Sequence, residues 1–200
     1  MSSMVQSTDP GRQIVDCFKF VSEFFRNCDA LLLSADSLLQ EHGDIVPYNW
    51  AAVSLESARI GSSLDWLPYR LMRQYSRRAF KEKEVITIAV VPWNPWDKDE
   101  TFSTPLCVGS WMAIRTGAGD TPYWGAVMQV WKKRLQPGGA VETVAPSDCF
   151  EGDDLRDCEA MLSQKTILSL ARPLLDIRSV ADLRDMVVRP LLSAVLAKTP

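Results

Sequence analysis

Carboxylates cluster at two places in the chain, and they are the residues whose chemistry is most easily named. The side chains are Asp97, Asp99 and Glu100 in the first cluster, and Asp153, Asp154, Asp157 and Glu159 in the second. Carboxylate oxygens bind divalent cations such as Mg²⁺, so a metal-dependent hydrolase is one hypothesis. The first cluster lacks the glycine and the later glutamate of a calcium loop, and the second has the composition of a solvated charge run. Metal-dependent hydrolysis therefore ranks third among three hypotheses, and we expect no metal ligands and no cofactor.

The single histidine, His42, narrows the catalytic chemistry further. One histidine cannot build a multi-histidine zinc site, and any Ser/His/Asp or Cys/His dyad would depend on it alone. It falls in the last turn of a predicted helix, where the helix dipole favours an imidazolium. The glycine-rich stretch 115–124 has proline at position 122, where a dinucleotide-binding loop needs a helix to begin, so a hairpin turn is the better interpretation.

A basic stretch, "RLMRQYSRRAFKEK" (70–83), carries six basic residues and one acidic residue. On a helix, spacings of three, four and four would place Arg70, Arg73, Arg77 and Lys81 on one face. Such a row could bind phosphate groups, so recognition of nucleic acid or another polyanion is the second hypothesis. The alternatives are a solvated helix face, or pairing with the acid-rich segment 142–159.

Two tryptophans, Trp93 and Trp96, each follow a proline in a segment that reads as a loop. Pro92 and Pro95 fix φ and stiffen the turn, so the two indoles lose little entropy on binding. Tryptophan is also the favoured anchor of protein interfaces. The leading hypothesis is therefore a non-catalytic protein-interaction module, an accessory or adaptor subunit of a cytosolic assembly. The alternative is that the loop folds back to cap the sheet.

Length and composition support an ordinary globular domain. The 200 residues carry a net charge of −3, which gives no overall attraction to nucleic acid or anionic membrane. Five cysteines form an odd set without a C-x-x-C pair, which favours reduced thiols. No signal peptide is recognisable, and no run approaches the roughly 20 apolar residues of a spanning helix, so we expect a cytoplasmic protein without membrane contact.

The first predicted element is a long helix over 14–39, which follows a flexible N-terminal arm of 13 residues. Apolar side chains recur along it at spacings of four and three: Ile14, Phe18, Val21, Phe25, Cys28, Leu32, Ala35 and Leu39. This rhythm is also that of a coiled-coil seam. We expect packing within the domain, and pairing of the helix with a second copy of the chain is the alternative. Gly43 predicts the C-cap.

Two shorter helices are predicted next, around 50–64 and from Pro68 onward, which would make 14–83 a helical segment. A sheet follows over 84–177, interrupted by a loop insertion at 135–153 and a short helix from Asp153. Ser179 and Asp182 resemble a capping box for a C-terminal helix over 178–200, which Pro190 should kink or restart. The predicted strands are 84–91, 105–115, 123–133 and 166–177.

The predicted fold class is α+β. N-terminal helices pack on an antiparallel sheet of about four strands, and a C-terminal helix closes a single domain over 14–200. Short turn-rich joins between the strands favour antiparallel neighbours over parallel strands with helical crossovers.

Overall fold

The α+β class is confirmed by the computed structural model. The model describes residues 9–43, 45–47, 71–77, 83–92, 104–115, 137–148 and 150–198. The helices are α1 (Pro10–Gln40), α2 (Gly152–Met161) and a C-terminal helix α3 over 180–198. The strands are β1 (Ile45–Pro47), β2 (Leu71–Arg77), β3 (Lys83–Val91), β4 (Leu106–Ile114), β5 (Glu142–Val144) and β6 (Leu162–Pro173).

The six strands form one antiparallel sheet in the order β1-β2-β3-β4-β6-β5, where the sequence predicted about four strands. The predictions of β3, β4 and β6 are confirmed. Residues 123–133, predicted as a strand, lie outside the described residues. The short strand β5 lies within 135–153, which was predicted to be a loop, and it pairs with β6 at the edge of the sheet.

Alternation along the central strands sorts their side chains onto two buried faces. On β4, Leu106, Val108, Met112 and Ile114 face one side, while Cys107 and Trp111 face the other, an alternation that can be read from the sequence of the predicted strand 105–115. The Trp111 face packs against α1 and α3, and the Met112 face packs against α2. Every residue of β4 is buried, which identifies it as the centre of the fold.

Helix α1 is built by local signals at both ends. The Oδ1 atom of Asp9 accepts a hydrogen bond from the Gly11 amide at 2.9 Å, and Pro10 occupies the first turn. Residues 10–13 therefore belong to the helix rather than to the predicted arm. At the other end, Gly43 has a φ of 65° and donates to the Gln40 carbonyl at 2.9 Å, which stops the helix where the sequence predicted.

Helix α3 begins at the predicted capping box, and its last α-helical piece, Arg189–Lys198, begins one residue before Pro190. The Asp182 amide donates to Ser179 Oγ at 3.1 Å, and the Ser179 hydroxyl donates to Asp182 Oδ2 at 2.8 Å. A π-helical turn over Arg184–Val188 carries the helix past the proline. Pro190 has no amide for the Met186 carbonyl, and Arg172 Nε of β6 donates to that carbonyl at 3.2 Å instead.

Helix α1 is longer than any described strand of the sheet it packs on. Its 31 residues span about 46 Å at 1.5 Å per residue, while the 12 residues of β6, the longest of these strands, span about 40 Å. Its buried side chains all lie in the second half, from Cys28 to Leu39. Within the described part of the chain, no helix combines the length and the apolar character needed to cross a membrane.

Candidate functional site

The basic stretch does not form the predicted helix. Residues 71–77 are strand β2, so Arg73 and Arg77 do not lie in the predicted helical row of Arg70, Arg73, Arg77 and Lys81. The predicted helical segment 14–83 contains the strands β1 and β2, and its predicted helix around 50–64 lies outside the described residues. Arg73 Nε donates to Asp36 Oδ1 on α1 at 2.7 Å, and its Nη2 donates to Asp36 Oδ2. The two side chains are only 16% and 19% exposed. Arg70, Lys81 and the side chain of Arg77 lie outside the described residues.

Asp36 accepts a third hydrogen bond, from the hydroxyl of Tyr75 at 2.7 Å. Tyr75 is fully buried. Burial, together with the hydrogen bond and the negative charge of Asp36, raises the pKa of Tyr75 well above its ordinary value. The Asp36 carboxylate thus binds the cation of Arg73 and the neutral hydroxyl of Tyr75, which are neighbours on one face of β2. The hydrogen bonds of Asp36 join α1 to the sheet. Because Arg73 is paired with Asp36 and mostly buried, it is not available to bind an external anion.

The acid-rich segment includes β5, which β3, β4 and β6 separate from β2 in the sheet. Among the described residues of the basic stretch, Arg73 pairs with Asp36 and not with this segment. Asp153, Asp154 and Asp157 lie on α2 and are exposed. Arg156 contacts Asp153 at 3.2 Å and Asp157 at 3.9 Å, and Lys165 contacts Glu159 at 3.2 Å. Among the described residues, no group of three or more His, Cys, Asp or Glu side chains could hold a metal ion. The first cluster, 97–100, lies outside them.

The Pro-Trp loop begins where β3 ends. Pro92 follows Val91, which pairs with Leu106 in the β3–β4 ladder, and Pro92 is half-buried. Trp93, Pro95 and Trp96 lie outside the described residues. An interaction surface on this loop therefore stays a prediction from the sequence.

A polar row crosses the buried face that α2 partly covers. Gln74, Thr87 and Ser110 are paired across β2, β3 and β4, and all three are 5% exposed or less. Gln74 Nε2 donates to Thr87 Oγ1 at 3.5 Å. Gln74 Oε1 and Ser110 Oγ have no hydrogen-bond partner among the described residues. The three side chains are one amide and two hydroxyls, and none of them is a base that could activate a nucleophile.

The first half of α1, the helix for which the sequence allows pairing with a second copy of the chain, is an exposed surface. We call residues 10–25 the overhang, because its large apolar side chains remain substantially exposed: Ile14 by 59%, Val15 by 50%, Phe18 by 53% and Phe20 by 71%. Ile14 and Phe18 belong to the same 4-3 stripe whose later members, from Cys28 to Leu39, are buried in the core. One continuous apolar seam therefore changes from buried to exposed along a single helix.

The polar side of the overhang is already satisfied within the helix. Asp16 contacts Arg12 at 4.0 Å and Lys19 at 3.6 Å, and all three side chains are more than half exposed. Such exposed pairs contribute little to stability. They do, however, balance the charge of this side locally, so the distinctive property of the overhang is its apolar side.

A groove lies where the overhang meets the body of the fold. Its volume is about 390 Å³, and it lies between α1 and the turn after β6. Phe24 and Leu31 line it from α1, and Ile177 lines it from the turn. Leu175 and Val180 are among its lining residues and are 67% and 49% exposed. The groove extends the apolar surface of the overhang onto the body.

Comparison with protein-family models, with curated proteins and with solved structures finds no match to this chain.

Proposed function

We propose that the protein is a non-catalytic protein-interaction module, an accessory or adaptor subunit of a cytosolic assembly, which binds its partner through the overhang. The observation that carries the proposal is the seam that leaves the core and continues, exposed, through Phe18 and Ile14. Contiguous exposed apolar patches of several hundred Å² mark interaction sites on globular proteins.

The size of the exposed patch supports this proposal. A side chain of this class presents on the order of 150–200 Å² when fully exposed. Ile14, Val15 and Phe18 lie on or beside the seam, and their exposed fractions give about 300 Å² of apolar surface. Phe20 lies on the far side of the helix and is not part of this patch. At about 25 cal/mol per Å², covering the patch would release on the order of 7 kcal/mol before the entropic cost of association.

The charges of the overhang favour a protein partner over a lipid surface. Helices that lie on membranes carry a polar face rich in Lys and Arg. Here Arg12, Lys19 and Arg26 are offset by Asp16 and Glu23. The polar side is close to neutral, so it offers no strong attraction to anionic lipid.

Affinity capture from native cytosol tests the proposal with two matched double variants. Val15→Glu/Ser22→Glu puts two charges beside the exposed seam, at residues that are both exposed. Leu33→Glu/Gln40→Glu puts the same charges at the same angular positions, 18 residues and about 27 Å further along the helix. We expect a protein that wild type and the Leu33/Gln40 variant retain and the Val15/Ser22 variant loses. Equal retention by all three forms would contradict the proposal.

A variant of the Pro-Trp loop is tested in the same capture experiment. Trp93→Ala/Trp96→Ala removes both indoles that the sequence identifies as anchors. Loss of the partner from this variant alone, with an unchanged melting temperature, would place the binding surface on the loop instead of the overhang. A large drop in melting temperature would mean that the indoles belong to the core.

A further inference from the structure

We infer that the partner of the overhang is a second copy of this chain, paired antiparallel so that the two overhangs form a two-helix seam. The inference rests on the proposed function, because it names the partner of the same surface. It follows from four features of the overhang: its repeat, its direction relative to the body, the residues that flank the seam, and its area.

The repeat is that of a helix–helix seam. Ile14, Phe18, Val21 and Phe25 alternate spacings of four and three, which places them at the inward-facing positions of two heptads. In an antiparallel pair centred between residues 19 and 20, Phe18 lies opposite Val21 of the partner subunit. In the same register Ile14 lies opposite the partner's Phe25. Each of the four layers then joins one large side chain to a complementary one, and symmetry repeats every contact.

The direction is set by the body of the fold. From Cys28 onward, the same face of α1 is occupied by the protein's own sheet and by α3. A parallel partner helix would therefore run into that body after about four turns. In an antiparallel pair, the partner helix begins beside Cys28, so it does not run along the body of the first copy. The body of the partner lies beyond the N-terminus of α1 of the first copy. The groove beside Leu175 is at the place where this first turn arrives.

The residues that flank the seam carry no charge. Val15 and Ser22 lie along one side, and Cys17 and Phe24 lie along the other. In an antiparallel pair each side meets its own counterpart, so Val15 faces Ser22 of the partner subunit. A second copy therefore meets no like charge. The charged side chains, such as Asp16 with its two cations, lie away from the seam.

The area fits a weak, reversible dimer. Two overhangs bring together about 600 Å² from Ile14, Val15 and Phe18, because Phe20 lies on the far side of the helix from the seam. The half-buried Val21, Phe24 and Phe25, of which both phenylalanines also pack against the protein's own core, raise the total to about 800 Å². This is below the roughly 1,000 Å² of a stable interface, so the dimer should be weak and dissociate on dilution. Since the seam is apolar, its stability should depend little on salt.

Mixing two purified variants tests both the partner and its direction. Val15→Glu/Ser22→Glu and Val15→Lys/Ser22→Lys each place like charges across the proposed antiparallel seam. Mixed together, they place opposite charges there. Light scattering after size exclusion and native mass spectrometry measure the masses, circular dichroism checks that each variant folds, and Leu33→Glu/Gln40→Glu is the control.

We expect wild type and control to pass from monomer to dimer as concentration rises. Each Val15/Ser22 variant alone should dimerise at least tenfold more weakly, and their mixture should form the heterodimer in preference to either homodimer. Wild type that stays monomeric up to about 200 µM would overturn the inference. A mixture that dimerises no more strongly than either variant alone would also overturn it, because in a parallel pair Val15 does not face Ser22.

The exposed thiol of Cys17 gives a second readout on the unaltered chain. Cys17 flanks the seam, so its reaction with a maleimide should slow as the protein concentration rises into the dimer range. A rate that is independent of concentration would count against the inference even if a charged variant failed to fold. If the protein is monomeric but the capture experiment finds another polypeptide lost from the Val15/Ser22 variant, the inference fails and the proposed function stands. If that partner is also absent, both fail.

Discussion

Replacing Asp36 with alanine should destabilise the fold by about 3 kcal/mol. The carboxylate accepts two hydrogen bonds from Arg73 and one from Tyr75. The variant would leave a guanidinium that is 16% exposed without its counter-ion, and a fully buried hydroxyl without its acceptor. Breaking a buried pair by removing one partner costs about 3–5 kcal/mol. The lower figure applies here because the pair keeps some contact with solvent.

Chemical denaturation followed by far-UV circular dichroism measures this cost, with Asp29→Ala as the matched control. Asp29 lies one heptad earlier on the same helix and is exposed, so its replacement should change the free energy of unfolding by less than about 0.5 kcal/mol. The two variants remove the same charge from the same helix. The difference between them therefore reports the buried contacts of Asp36 and not the charge or helix propensity of α1.

A double-mutant cycle with Arg73→Met separates the ion pair from the cost of an orphaned group. Because the single variants each leave a buried group unpaired, the double variant should be more stable than the sum of the two losses by about 2 kcal/mol. A cost for Asp36→Ala no larger than that of Asp29→Ala would refute the reasoning. Additive losses in the cycle would show that Asp36 and Arg73 do not act as a pair.

Three further predictions concern the core. Burial raises the pKa of the Cys28 thiol to about 12 and that of the Cys107 thiol to about 12, whereas an unfolded thiol ionises near 8.5. The free energy of unfolding should therefore be constant near pH 7 and fall as pH rises through 9 toward 12, by about 1 kcal/mol or more per thiol between pH 8 and 10. Cys107→Ala should remove the part of this pH dependence that Cys107 contributes, which a series of denaturation curves measures. Arg172→Met should cost about 1–2 kcal/mol by orphaning the helix carbonyl that Pro190 cannot bond, and clearly less in a Pro190→Ala background; equal costs in both would contradict this role. Gly109→Ala should cost about 1–2 kcal/mol, because its Cβ would lie 3.2 to 3.4 Å from the nearest side-chain atoms; an unchanged melting temperature would show that the helix can move aside.

The sequence predicts the elements whose signals are local. The 4-3 stripe of α1, the two-faced alternation of β4 and the Ser179–Asp182 capping box each depend on neighbours within one element, and all three are found in the structure. The π-helical turn before Pro190 is different, because the carbonyl freed by the proline is bonded by Arg172 of β6. The proline can be read from the sequence, but the residue that bonds the freed carbonyl cannot.

The wrong prediction at 70–83 has the same physical origin. Spacings of three and four between arginines fit a helix, but β2 is fixed by its ladder with β3 and by the Asp36 carboxylate that binds Arg73. Neither contact can be read from residues near Arg73. For the overhang, the sequence gives the apolar stripe but not the point where the sheet ends. The exposed part is seen only in the structure, where the buried side chains of α1 begin at Cys28.

The most direct test of the proposed function is a photo-activated crosslinker placed at Val15 in the full chain, compared with the same crosslinker at Leu33. Both side chains are about half exposed and occupy the same angular position on α1, but only Val15 lies in the overhang. An interaction module that docks through the overhang should give a crosslinked polypeptide from Val15 and none from Leu33, and the mass of the product should identify a second copy of the chain. Equal products from both positions, or none from Val15 at concentrations where wild type associates, would contradict a docking surface on the overhang.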